Sequence, residues 1–219
     1  MKVLICYYST YGNVYRMATL VAEGVRQVAG AEPVLRTVPE LIPSAVIEAR
    51  ADMKAGRALQ QDIPLVTAED FREAGAIAFG TPTRFGNVSS QLKNQIDQLT
   101  SLWVQGAFEG KPAGVFGSTG SLHRGQETTL LTLMAPLLHL GMILVGVPYS
   151  VQELFTTQGG GSPYGPGHVA GDDKRREIDV QEAAICRALG RRLAEVGLRV
   201  GKWNRRSYSD VPLSAPQGN

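Results

Sequence analysis

The chain is poor in the residues that build metal centres and disulfide scaffolds. It has two cysteines, three histidines and two tryptophans in 219 residues. Cys6 falls in a buried-strand pattern and Cys186 in a helix pattern. Both read as core thiols rather than as a disulfide pair or as ligands. No Cys/His cluster has the spacing of a zinc site. No apolar stretch approaches the length of a membrane span, and the apolar run Val3-Leu4-Ile5-Cys6 is too short for a signal peptide. A soluble cytoplasmic protein, with no membrane partner, is the expectation. The net charge of +2 is too mild to argue for a nucleic-acid partner. Two phosphate-binding fingerprints are also absent: there is no G-x-x-x-x-G-K-S/T and no G-x-G-x-x-G. The nearest candidate, Gly106 to Gly110-Lys111, has the wrong spacing and runs into Pro112.

What is present is an ordinary globular composition, 43% hydrophobic and 19% charged, enough for a real core in one α/β domain. The stretch 2–14, KVLICYYSTYGNV, organises the rest. A short run of strand-forming residues leads into Ser9-Thr10-Tyr11-Gly12-Asn13, and a helical pattern starts at about Val14. Strand, hydroxyl-rich turn and helix present free amides and a helix N-terminus to an anion. Gly12 or Asn13 can take positive φ, so the amides can curl around a phosphate. The turn itself contains no Lys or Arg, so dipoles are expected to do most of the holding. By itself such a loop is equally an ordinary strand-to-helix turn.

Further along, residues 14–28 read as a helix, with Val14, Met17, Ala18, Val21, Ala22, Val25 and Val28 on one face. Residues 33–38 alternate as a second strand, with Pro33 at its start. Residues 40–65, punctuated by Pro43 and Pro64, read as an inserted, partly helical connection. Residues 67–73 form a short helix with Thr67 as N-cap and Asp70 close to a capping box. Residues 75–80 are a buried strand, followed by the loop 81–87, Thr-Pro-Thr-Arg-Phe-Gly-Asn. A helix capped by Ser89 or Ser90 runs through Leu99, and Trp103 lies just beyond it. The strand 112–116 enters a third polar loop, 117–125. An apolar helix over 128–140 contains Pro136, where a kink or late restart is expected. Residues 142–147 read as the last core strand and 158–173, rich in glycine and proline, as a long loop. Asp179 caps the final helix, with Glu182 completing its box and Ile185, Leu189, Leu193 and Val196 as its buried stripe. A domain over 1–200 is followed by a tail, 201–219, expected to be extended or disordered; its Lys202, Arg205 and Arg206 read as a solvated cluster.

Alternating strands and helices predict a doubly wound parallel sheet with an insertion between strands 2 and 3. In such sheets ligands sit at the carboxyl ends of strands, at the switch in strand order. The loops 9–13, 81–87 and 117–125 each follow a strand, so all three converge on one edge. That convergence is more specific than any single loop.

The segments YYSTYGNV, FGTPTRFGN and FGSTGSLHRGQET, with QELF at 152–155 and GSPYG at 161–165, resemble the WrbA-type NAD(P)H:quinone oxidoreductases, which are flavodoxin-like FMN proteins. The resemblance spans about residues 2–196. It implies that Ser9, Thr10, Gly12, Asn13 and Val14 hold the FMN phosphate. Thr83, Arg84 and Phe85 would contact the isoalloxazine and its pyrimidine edge, with Pro82 and Gly86 letting the backbone approach the ring. Ser118, Thr119, Gly120, Ser121, Leu122 and His123 would line the other side of the flavin and its ribityl chain. Tyr11, part of the cofactor loop, would help form the nicotinamide pocket. Trp103 would reach the quinone pocket of a neighbouring subunit in a tetramer.

The implied activity is FMN-dependent, ping-pong, two-electron reduction of quinones by NADH or NADPH, with the chemistry on the flavin rather than on a protein nucleophile. The alternative is a flavodoxin-type electron carrier without its own NAD(P)H oxidation. Such carriers are strongly acidic, whereas this chain is slightly basic. Two departures stand out. His139-Leu140-Gly141 replaces the family's His-His-Gly, so that contact is lost or falls to His139. Leu122, His123 and Arg124 occupy a loop that is more glycine-rich in relatives.

Overall fold

A computed structural model describes residues 1–203 of the chain. In chain order its elements are β1 (Lys2–Tyr7), α1 (Asn13–Arg26), β2 (Glu32–Thr37), α2 (Ser44–Glu48), α3 (Ala51–Ala58), α4 (Ala68–Glu73) and β3 (Ala76–Pro82). They continue with α5 (Ser90–Asp97), α6 (Thr100–Val104), β4 (Pro112–Thr119), α7 (Gln126–His139), β5 (Ile143–Leu144), α8 (Glu153–Thr156), β6 (Gly167–Val169) and α9 (Val180–Trp203). The strands pair in parallel in the order β2-β1-β3-β4-β5, with β6 also on β4. This is the expected doubly wound sheet, and α2 and α3 form the helical insertion between β2 and β3.

The two-residue period of the strands divides the core in two. Leu4, Cys6, Ile77, Phe79, Ala113 and Val115 face α4, α5, α6 and α7. Val3, Ile5, Tyr7, Ala76, Ala78 and Phe116 face α1 and α9. The apolar stripe of α1 and the stripe Ile185, Leu189 and Leu193 of α9 are fully buried against that second face. Local capping signals are realised in both directions. The Asp70 amide donates to Thr67 Oγ1 at 3.2 Å and the Thr67 amide to Asp70 Oδ2 at 2.8 Å. The Glu182 amide donates to Asp179 Oδ1 at 2.8 Å and the Asp179 amide to Glu182 Oε2 at 3.0 Å.

Five features differ from expectation. The last core strand is shorter than 142–147. Val145 N still donates to Ala113 O at 2.7 Å, but Val147 N turns away to Pro163 O. The glycine- and proline-rich segment 158–173 contains β6, which takes the place beside the second half of β4, pairing Ser118 with His168 and Thr119 with Val169. A three-residue strand flanked by Pro166 and glycines has too short a period to be read. Helix α7 runs through Pro136 without interruption. Trp103 belongs to α6 rather than to a connecting segment. Helix α9 continues past Gly201 to Trp203, and the expected tail over 204–219 lies outside the described residues.

Candidate active site

The strand order reverses between β1 and β3, and the first, second and third polar loops meet there beyond the carboxyl ends of β1, β3 and β4. They enclose a cavity of about 120 Å³. Its lining takes Ser9, Thr10, Tyr11, Asn13 and Val14 from the first loop and the start of α1. Pro82, Thr83 and Arg84 line it from the end of β3, and Ser118, Thr119 and Gly120 from the end of β4. Ser118 and Thr119 are strand residues, not loop residues.

One end of the cavity is built for an anion. Helix α1 starts at Gly12, whose φ of +88° favours glycine; no side chain caps the first turn and no acidic residue lies in it. The first-turn amides are therefore available to a ligand. Ser9 is buried, and its hydroxyl has no hydrogen-bond partner among the described residues. A buried hydroxyl without a partner costs free energy unless a ligand supplies one. A terminal phosphate such as that of FMN fits this corner. The fold also adds cations that the loop lacks. Arg84 Nη2 donates to Thr10 Oγ1 at 2.9 Å, and Lys174 lines the same cavity. The loop is expected to hold an anion mainly by dipoles; the structure sets these two cationic side chains, from distant parts of the sequence, beside it.

The inserted helices brace this corner. Gln60 Nε2 donates to the carbonyls of Ser9 and Gly56, both at 2.9 Å. Gly56 in α3 lies so close that a Cβ there would come within 2.6 Å of Thr10 O and of the Tyr11 backbone. Any side chain at 56 would push the loop.

The other end is open. Thr83 N donates to Ser118 O at 2.9 Å, tying the ends of β3 and β4 together. Thr129 Oγ1 donates to Gly125 O, so Thr83 Oγ1 is the donor in its 2.7 Å bond to Thr129 Oγ1. Residues 84–87 form a tight turn, with reciprocal bonds between Arg84 and Asn87 and positive φ at Phe85 (52°) and Gly86 (74°). A left-handed aromatic residue is uncommon and strained. The Phe85 side chain stands fully in solvent and, with Gly86, outside the cavity lining. Ser121 accepts a bond from Thr119 Oγ1 through its carbonyl, and His123 is exposed. Leu122 lines a separate open groove of about 530 Å³ with Val169, Arg176 and Val180. Gly12, though it caps α1, is also absent from the cavity lining. Trp103 is half exposed and Val104 more so, while their neighbour Leu102 is buried in the chain's own core. Trp103 does not line the cavity, and His139 is exposed at the end of α7.

The remaining wall is the segment after β6. It contributes Ala170 and Lys174, neither singled out by the sequence, because its glycines and prolines read only as loop. Ala170 N donates to Thr119 O at 2.8 Å, and Asn13 Nδ2 donates to Lys174 O at 3.2 Å. Behind this wall lies an ionic cluster in which Glu182 and His168 are buried and Arg176 is about one-third exposed. Arg176 Nη1 donates to both Glu182 oxygens at 2.9 Å and to Val169 O at 2.9 Å. Burial pushes the Glu182 carboxyl up, but the bonds from His168 and Arg176 outweigh it and hold the group below the usual carboxylate range. An ionised Glu182 only accepts, so His168 Nδ1 carries the proton in their 3.0 Å bond.

Residues 1–156 match the family described as NADPH-dependent FMN reductase. A protein of Trichlorobacter lovleyi named NAD(P)H dehydrogenase (quinone) is 47% identical over 201 residues, covering 91% of this chain and 98% of that protein. A protein of the same name from Geobacter metallireducens is 46% identical over 202 residues, covering 91% and 99%. The crystal structure of the flavodoxin, WrbA-like protein from Agrobacterium tumefaciens matches the fold with a TM-score of 0.61 at 25% identity, covering 90% of this chain and 98% of that one. The sheet order, the converging loops and these likenesses agree: the chain belongs to the NADPH-dependent FMN reductase family and has its flavodoxin-like fold.

Proposed function

We propose that the chain is an FMN-dependent NAD(P)H:quinone oxidoreductase that reduces quinones by two electrons. The observation that carries this reading is the buried, unpartnered Ser9 hydroxyl beside the uncapped start of α1, at the switch point of the sheet. Bound there, FMN supplies the two-electron chemistry between dinucleotide and quinone. The protein's part is binding, orientation and electrostatics. Ser9, Thr10 and the amides over residues 12–14 take the phosphate, and Arg84 offsets its charge. Pro82, Thr83, Arg84, Phe85 and Gly86 form one wall for the ring, and Ser118 to His123 the other. Thr83 and Ser118 are held at fixed separation by the bond between their backbones.

At about 120 Å³ the cavity is smaller than the range usual for ligand sites. It accommodates the phosphate end, and the ring then runs along the open rim. Exposed apolar side chains stand on the turn after β3 and on α6 and α7: Phe85, Trp103, Val104, Leu131 and Leu138. Such surface supports a homo-oligomer, a tetramer by family resemblance, in which Trp103 of one subunit covers the quinone side of another. One open site serving both substrates in turn supports a ping-pong sequence, with Tyr11 on the dinucleotide side. Among the described residues no helix is long and apolar enough to cross a membrane, and the two buried free thiols, Cys6 and Cys186, support a reducing, cytoplasmic setting.

The test uses the purified protein alone. It should be yellow, oxidise NADH or NADPH when a quinone is supplied, and give parallel initial-rate lines at several quinone concentrations. Flavin without dinucleotide oxidation would mark a flavodoxin-type carrier instead. Intersecting lines would remove the shared site, and a fully active monomer in light scattering would remove the covering by Trp103.

A further inference from the structure

The segment 170–176 does more than close the cavity. Lys174 has φ +62°, a left-handed conformation that strains a long side chain and that glycine would adopt freely. The turn is held by Lys174 N donating to Gly171 O at 3.1 Å and by Asn13 Nδ2 donating to Lys174 O at 3.2 Å. Its result is to place the Lys174 ammonium 4.7 Å from the centre of the Tyr11 ring, at the wall of the cavity. A second cation meets the same ring from the insertion: the Arg50 guanidinium carbon lies 5.7 Å from the Tyr11 centroid. Asp52 gathers the two. Arg50 grips it through Nε at 3.1 Å and Nη2 at 2.6 Å, and Lys174 Nζ stands 3.8 Å from Asp52 Oδ2.

The cluster therefore carries two positive charges against one negative, around an aromatic ring that is itself part of the phosphate loop. All three charged side chains are about one-third to one-half exposed. Lys174 is only loosely paired, at 3.8 Å, so its ammonium has donors left for an incoming oxygen. The flavin phosphate has its own corner at Ser9 and the start of α1. The Tyr11 cluster lies on the insertion side of that loop and joins three elements far apart in the chain.

We propose that Lys174 and Arg50, assembled on Tyr11 by Asp52, form a second anion subsite that takes a phosphate of the nicotinamide dinucleotide. The inference rests on the NAD(P)H-oxidising function proposed above. Two sources share the required chemistry, the 2′-phosphate that only NADPH carries and the pyrophosphate common to NADH and NADPH. In either case the dinucleotide's phosphate replaces Lys174's long contact to Asp52, while the Tyr11 ring supports both cations.

The test is calorimetric titration of the FMN-loaded protein with NADP⁺ and with NAD⁺, which bind without reacting with the oxidised enzyme. It compares wild type with Lys174→Gln and Arg50→Gln, and FMN affinity is measured in parallel by fluorescence. Each variant should weaken dinucleotide binding by roughly tenfold, the size of one lost charge-assisted contact. Arg50 lies outside the cavity lining, so Arg50→Gln should leave FMN affinity unchanged. A loss confined to NADP⁺ assigns the subsite to the 2′-phosphate, and an equal loss for both assigns it to the pyrophosphate; either supports the proposal. Unchanged dinucleotide affinity in both variants overturns it, as does a loss of FMN affinity in both variants that accounts for the whole effect. Wild-type turnover separates the two levels: if wild type oxidises dinucleotide with quinone but the variants bind normally, only the second subsite fails. If wild type oxidises neither dinucleotide, the functional reading fails first and takes the subsite with it.

Discussion

At the phosphate end of the site Ser9, Thr10 and Asn13 are nearly inaccessible, and the loop is braced by Gln60, Gly56 and Arg84. At the ring end Phe85 stands wholly in solvent on a left-handed backbone, and Trp103 is half exposed on its short helix. The first end is built within the chain and, among the described residues, leaves the Ser9 hydroxyl and the Gln60 side-chain oxygen without a partner. The second end presents apolar surface and strain that the subunit itself does not compensate. The contrast teaches that the fold completes the closed end by itself, whereas the open end is left to a further component, which the proposed function assigns to the flavin ring and a neighbouring chain. Several experiments sharpen or break this division.

The largest effect is expected at the closed end. Ser9→Ala combined with Thr10→Ala removes two hydroxyl contacts to a charged group, about 3–6 kcal/mol at most in FMN affinity. The fold should be kept, because neither hydroxyl supports a secondary-structure bond. Unchanged FMN affinity in a fluorescence titration would falsify the assignment of this corner to phosphate.

The next effect tests whether the back wall belongs to the closed end. Glu182→Gln leaves Arg176 and His168 facing a neutral amide and should cost about 3 kcal/mol of folding stability in urea titration. Glu182 is held below the usual carboxylate range. Its contribution is therefore present above that range and is lost as pH falls through it towards the lower folded value. Wild type should lose stability in acid more steeply than Glu182→Gln. Parallel acid profiles would detach the cluster from the stability of the wall.

The third prediction addresses strain at the open end. Phe85→Asn keeps a residue that tolerates positive φ and removes the exposed ring. It should stabilise the FMN-free protein by about 1 kcal/mol while weakening FMN binding. Stabilisation in both forms would mean that the aromatic ring contributes nothing to the cofactor site.

The smallest effect on the subunit is expected from Trp103→Ala. An exposed side chain away from the core changes stability by about 0.5 kcal/mol or less. Quinone turnover should nonetheless fall more than FMN affinity, and light scattering should show a looser assembly. A subunit that unfolds on this substitution would place Trp103 in the core and erase the contrast between the two ends.

Much of this architecture was legible because its signals are local. The alternation in β1 and β3, the three-four spacing in α1 and α9, and the paired caps Thr67–Asp70 and Asp179–Glu182 each lie within a few residues of chain. The three polar loops follow strands, so their meeting at one edge follows from parallel pairing. The strand β6 is not legible in the sequence because three residues that begin on a glycine after Pro166 carry no readable period. Trp103 was placed beyond a helix because the apolar trio Leu102-Trp103-Val104 does not reveal that only Leu102 turns inward. Lys174 lay hidden in a segment read as loop, and Arg50 in an insertion whose packing no local pattern announces.

The sequence by itself determined the kind of sheet, the order of its elements and the three loops that converge on its edge, since hydrophobic period and turn chemistry act over short distances. Only the tertiary structure decided which charges face that edge. Arg84 reaches Thr10, Gln60 reaches Ser9, and Lys174 and Arg50 meet over Tyr11 because crossovers bring together residues that no spacing in the chain relates. Electrostatic partners are set by distance in space, and distance in space is a product of the whole fold.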